Sequence, residues 1–173
     1  MLSYIFVVIF SGLILLTDGY KMIPTKISSC PVKGKAFPIE CKLLKNEKGE
    51  NEFFMTTDLP FDINEEFTFT LKISTWAVTT WIPFNQEIQG KLFENIDKII
   101  PKLWEKLRGQ VKPAVSDAHL IKADKYILEN FQCSMDDILN PIQLRGKFMA
   151  TLKMFNPQDQ EVLCQSLEMF GQD

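Results

Sequence analysis

The clearest alternation of apolar and polar positions is FTFTLKIS: Phe67, Phe69, Leu71 and Ile73 lie on one side, Thr68, Thr70, Lys72 and Ser74 on the other. A period of two is the mark of a half-covered strand. The apolar character continues to Trp81, so the pattern predicts one long strand over Phe67–Trp81. After Ser74 the parity changes, and Trp76 and Val78 take the polar positions. A one-residue slip turns every later side chain over. The sequence therefore predicts either a β-bulge or sharp bend near Ser74–Thr75, or a strand buried on both faces beyond it.

Other segments repeat the same period. Ile39, Cys41 and Leu43 alternate through IECKLLK, and the turn residues Asn46–Gly49 lead into EFFMTT, which stops at DLP. Near the C-terminus Phe148, Ala150, Leu152 and Met154 share a face, Asn156–Asp159 reads as a turn, and Val162–Phe170 reads as a strand carrying Cys164. His119–Cys133 reads as extended, and Asn140–Pro141 as a break. Only one region has helical spacing: Ile88, Leu92, Ile96, Ile99, Leu103 and Leu107 form a stripe, flanked by Phe93, Ile100 and Trp104. Pro101 removes a backbone donor inside it, so a kinked helix or two short ones are expected, ended by Gly109 and Pro113. The chain is thus read as β-rich with one central helical insertion. Phe93 and Trp104 are either core or the rim of a pocket.

The N-terminal run Leu2–Leu16 is almost wholly apolar and lacks Lys and Arg. A span needs roughly 20 apolar residues, so the run is too short for one. It suits the hydrophobic part of a secretory signal peptide followed by the small residues Thr17 and Gly19, although the usual preceding positive charge is missing. An uncleaved anchor or a buried first helix is the alternative. The expectation is a signal peptide over 1–19 and a single extracellular domain over 20–173. Loss of the leader removes one acid, Asp18, and no base, which takes the formal charge from −3 to about −2. Such a balance, with signs mixed along the chain, gives no basis for binding nucleic acid or an anionic membrane surface.

Four cysteines, Cys30, Cys41, Cys133 and Cys164, suggest two disulfides in an oxidising compartment, and spacing does not choose among the three pairings. The chain has no CxxC and one histidine, which argues against zinc, and no cofactor or metal is expected. No GxSxG, HExxH, P-loop or GxGxxG is present. The lone His119 is read as a surface or packing residue, and Glu65–Glu66 and Asp136–Asp137 as solvated pairs, so an enzyme is not expected.

The terminal stretch LRGKFMATLKMFNPQDQEVLCQSLEMFG resembles the C-terminal hairpin of the ganglioside activator protein and of the insect chemosensory CheB group. Ser29–Cys30, the long strand running into TTWIPF and the helical region Ile88–Leu107 fall in the same order as in that family, so the resemblance covers most of Cys30–Gly171. It implies a mainly β fold, the lipid-recognition β-cup, with two antiparallel sheets around an apolar cavity. It also implies the pairing of Cys30 with Cys164, which leaves Cys41 with Cys133. The family's central cysteine cluster has no counterpart between Trp81 and Val111, so an enzyme-docking role does not carry over.

The expected function is a secreted, non-enzymatic binder of a lipid or other hydrophobic small molecule, such as a hydrocarbon or pheromone in a chemosensory setting. A receptor or membrane surface is a further expected partner. The alternatives are a secreted interaction protein of venom or seminal type with a filled core, and a sphingolipid-hydrolase activator. Candidate cavity residues are Phe67, Phe69, Leu71, Ile73, Trp76, Trp81, Phe93, Trp104, Phe148 and Leu152, and the opposite parity of the long strand remains an alternative inner face.

Overall fold

The computed structural model describes residues 21–34, 36–49, 51–132 and 145–172. The expected signal peptide over 1–19, Cys133, Asp136–Asp137 and Asn140–Pro141 lie outside the described residues.

Eight strands form two antiparallel sheets. The larger has the order β1 (Lys21–Ser29), β8 (Glu161–Gln172), β7 (Gly146–Phe155), β4 (Thr68–Ala77), β5 (Thr80–Lys91). The smaller has the order β2 (Ile39–Lys45), β3 (Asn51–Asp58), β6 (Lys125–Phe131). Between β5 and β6 the chain forms two short helices, α1 (Leu92–Ile99) and α2 (Pro101–Gln110). Two antiparallel sheets with an inserted helical segment is the architecture expected from the sequence.

The inner faces follow from the period-two patterns. Phe69 and Leu71 from β4, Phe148, Ala150, Leu152 and Met154 from β7, and Leu163, Leu167 and Met169 from β8 meet Phe53 and Met55 from β3 and Leu128 and Phe131 from β6. Each large apolar side chain buried this way stabilises the fold by about 1.5–3 kcal/mol. The edge strands β1 and β2 lie side by side along one flank of the stack. Along the other flank the helices stand between β5 and β6 and drive Leu92, Phe93, Ile96, Leu103, Trp104 and Leu107 into the interior.

Three expectations need correction. The apolar run Phe67–Trp81 is not one strand: the chain reverses at Val78–Thr79, and Val78 sits at a φ of 53°, a value β-branched residues rarely adopt. Nor does β4 turn over near Ser74. Its ladder with β7 is regular from Thr68↔Phe155 to Thr75↔Phe148, so Trp76 keeps the outward parity of Lys72 and Ser74. The irregularity near Ser74 is carried by β5, which places extra residues between Pro83 and Glu87 opposite Ser74 and Lys72. The helical stripe also begins later than its spacing suggests. Ile88 belongs to β5, and α1 starts at Leu92, whose N–H donates to Phe67 O at 2.9 Å. The two-helix alternative holds at Pro101, which occupies the first turn of α2, where its missing N–H costs nothing.

Candidate functional site

The structure brings most of the proposed cavity residues together. Phe67, Phe69, Leu71, Phe93, Trp104, Phe148 and Leu152 lie in one apolar cluster between the sheets, with Ile73 packed partly buried against it. Phe93 and Trp104 are each 2% exposed and their ring centroids are 6.1 Å apart, so they wall the interior. Trp104 Nε1–H donates to Ala118 O at 2.8 Å, which satisfies its one polar atom. Trp76 and Trp81 are not in this cluster; they lie on the outer face of the larger sheet.

Where β1 and β2 run side by side, an open surface groove of about 330 Å³ follows their edges, lined by Ile27, Cys41, Leu43 and Leu44. Ile27, Cys41 and Leu43 pack against the core, so the floor of the groove is continuous with the apolar interior. Its lips carry Thr25, Lys26 and Lys42. The Lys26 ammonium is 3.7 Å from Glu168 and that of Lys42 2.6 Å from Glu40, and both lysines are exposed. An apolar floor beside charged side chains suits an amphiphile. The proposed Cys41–Cys133 pairing lies outside the described residues because Cys133 does. Cys30 and Cys164 form a disulfide with a Cα–Cα distance of 5.2 Å, joining segments 134 residues apart.

On the outer face of the larger sheet, one cross-strand row runs over all five strands. Trp81 faces Trp76, Trp76 lies beside Lys147, Lys147 faces Phe170, and Phe170 faces Ile23. At about 4.8 Å per strand the row is about 19 Å wide. The indole centroids are 5.0 Å apart at 71°, and Lys147 Nζ stands 5.2 Å over each. Trp76 is 40% exposed and Phe170 42% exposed on this face, and Val78, at the tip of the β4–β5 turn, is 93% exposed; Ile82, opposite Thr75, has the other parity of β5. Contiguous exposed apolar residues of this kind mark an interaction surface. The change of parity after Ser74 was the sequence signal for it.

The third feature was not legible in the sequence. His119, in the loop between α2 and β6, places Nδ1 2.9 Å from Glu65 Oε1 and Nε2 2.8 Å from Asp97 Oδ2. Its ring lies 5.6 Å from that of Phe93. Partial burial works against the charged ring, but the hydrogen bonds and charges of Asp97 and then Glu65 outweigh it and raise the pKa above that of ordinary histidine. Glu65 and Asp97 stand 54 and 22 residues away in the chain, too far for any local motif. No group of side chains among the described residues is arranged to hold a metal ion.

No protein-family model matches the chain, and no curated protein matches it. Among solved structures it is similar to chicken MD-1 complexed with lipid IVa, at 8% identity and a TM-score of 0.36, over 91% of this chain and 94% of that one. It is also similar to a Niemann-Pick type C2 protein from the Japanese carpenter ant, at 12% identity and a TM-score of 0.30, over 83% of this chain and 97% of that one. Likeness at this level transfers no residue from those proteins to this one.

Proposed function

We propose that the protein is a secreted, non-enzymatic carrier of a hydrophobic molecule, a lipid or a hydrocarbon or pheromone in a chemosensory setting. The observation that carries this reading is the groove along β1 and β2, whose apolar floor is continuous with the core. A chain entering it leaves water at a gain of about 0.8 kcal/mol per buried CH₂, while Lys26 and Lys42 face its polar end. The interior it would enter contains Met55, Met154 and Met169, flexible side chains that repack at little cost. The Cys30–Cys164 disulfide supports an oxidising, extracellular setting. The row from Trp81 to Phe170 supports contact with a lipid surface, since tryptophan places its ring at the boundary and its N–H in water.

The test is mass spectrometry of organic extracts from the secreted protein, together with uptake of a fluorescent fatty acid by wild type and by Ile27→Glu. Uptake that the variant abolishes supports the carrier. A second reading is a secreted protein that acts through its surface with a filled core. It is supported by the dense apolar cluster between the sheets, and it requires a clean extract and no uptake.

A further inference from the structure

We propose that His119 is a pH-operated clasp: as an imidazolium it pins helix α1 to the entry of β4, and on losing its proton it frees the outer face of that helix. Both ring nitrogens are within 2.9 Å of a carboxylate oxygen, Glu65 on one side and Asp97 on the other. A neutral imidazole has one N–H and one lone pair. In either tautomer it leaves a lone pair facing an oxygen that also accepts. Only the charged ring donates to both, so the geometry selects that form.

The charged groups around the ring point the same way. The β4 entry contributes Glu65, α1 contributes Glu94 and Asp97, and the loop of His119 contributes Asp117, whose carboxylate accepts the His119 backbone N–H at 2.8 Å. Lys91 is the one base lining this pocket, and it lies 3.8 Å from Glu94. The surroundings are therefore strongly acidic.

What the clasp releases is set by the bonds that remain. The loop carrying His119 stays fixed through the Ile63↔Ile121 bridge, the Trp104 indole to Ala118 O, and the Lys122–Asp62 pair at 2.9 Å. Glu65 sits close to that bridge in the chain. Of the two carboxylate contacts the one to Asp97 reaches α1; the Leu92 N–H to Phe67 O bond holds the first residue of that helix to the β4 entry in either state, so the turn carrying Asp97 is the part set free. That helix has no side-chain N-cap, and Phe93 beneath the imidazole helps wall the interior. Loosening α1 thus opens the flank between β5 and β6, opposite the β1–β2 groove. Opening as a route for ligand rests on the carrier reading above; the clasp itself does not.

The chain has a single histidine, so one imidazole C2–H resonance reports the site without assignment. On the ligand-free protein, the expected result is titration above the ordinary histidine range, shifted downward by Asp97→Asn and by Glu65→Gln. Amide exchange in α1, corrected against His119→Gln at each pH, should rise as the ring deprotonates while Ile63 and Ile121 stay protected. The rise is up to about tenfold for each pH unit by which the ring is held above its ordinary value. If His119→Gln does not fold, Asp97→Asn, an exposed change, serves as the reference. Titration at or below the ordinary value, or α1 exchange indifferent to pH, overturns the clasp. Release of a fluorescent fatty acid then separates the two proposals: release that accelerates across the same transition supports gating, and pH-independent release overturns it. Absence of uptake at every pH, with the titration and exchange intact, supports the clasp and removes the carrier reading.

Discussion

Trp76 and Trp81 meet across the β4–β5 hairpin at 5.0 Å, outside the core, and share one cation, the Lys147 ammonium, at 5.2 Å from each ring. Two indoles placed this way contribute little to holding the sheets together and much to what the surface can bind. Trp76→Ala and Trp81→Ala should each cost only about 0.5–1.5 kcal/mol of stability, the worth of an aromatic pair. The double variant should lose most of its partitioning to phosphatidylcholine vesicles, read by flotation. Undiminished partitioning would show that the row does not meet lipid.

The opposite balance holds at the helices. Phe93→Ala removes a fully buried ring and should cost about 3–5 kcal/mol in urea unfolding, well beyond any change on the Trp76 row. A cost under 1 kcal/mol would mean that the interior beneath α1 already contains free space.

The disulfide should matter more than any one side chain. Cys30–Cys164 closes a loop of 134 residues. Replacing both with alanine should cost on the order of 4–5 kcal/mol by constraint of the unfolded chain, measured by denaturant midpoint. An unchanged midpoint would place the stability elsewhere.

Two titrations on either side of neutrality contribute to the pH profile with opposite signs. Lys122 and the Ala123 N–H hold the Asp62 carboxyl below its ordinary value, so its contribution is present above pH 3.8 and is lost as pH falls through the lower folded value. His119 is raised, so its contribution is full below 6.5 and is lost as pH rises through the higher folded value. Thermal melts should therefore show a decline on the alkaline side that His119→Gln makes shallower, and an acid-side decline that Asp62→Asn makes shallower while lowering the melting temperature near neutral pH. A profile of His119→Gln parallel to wild type above pH 6.5 would contradict the first assignment.

How far the sequence carried these conclusions depended on the range of the cause. The bounds of β2 were readable because Ile39, Cys41 and Leu43 alternate and Asn46–Gly49 forms a turn directly after them. The inner face of β7 was readable for the same reason, in Phe148, Ala150, Leu152 and Met154. The turn at Val78–Thr79 was not, because it contains no Gly, Asn or Asp to announce a positive φ. Trp76 was read as inward because it is apolar, whereas it faces water in a row completed by residues from four other strands. Ile88 joined the helical stripe because a spacing of four fits both periods, and only pairing with Leu71 assigns it to β5. His119 was passed over because its chemistry comes from Glu65 and Asp97, which only the fold brings to it.

The most direct test of the carrier reading is mass spectrometry of organic extracts from the protein secreted by insect cells. The account predicts a lipid or hydrocarbon recovered near one per protein, depleted in Ile27→Glu, whose carboxylate would stand in the groove along β1 and β2. A clean extract, with no uptake of a fluorescent fatty acid, would contradict it and leave the protein to act through its surface.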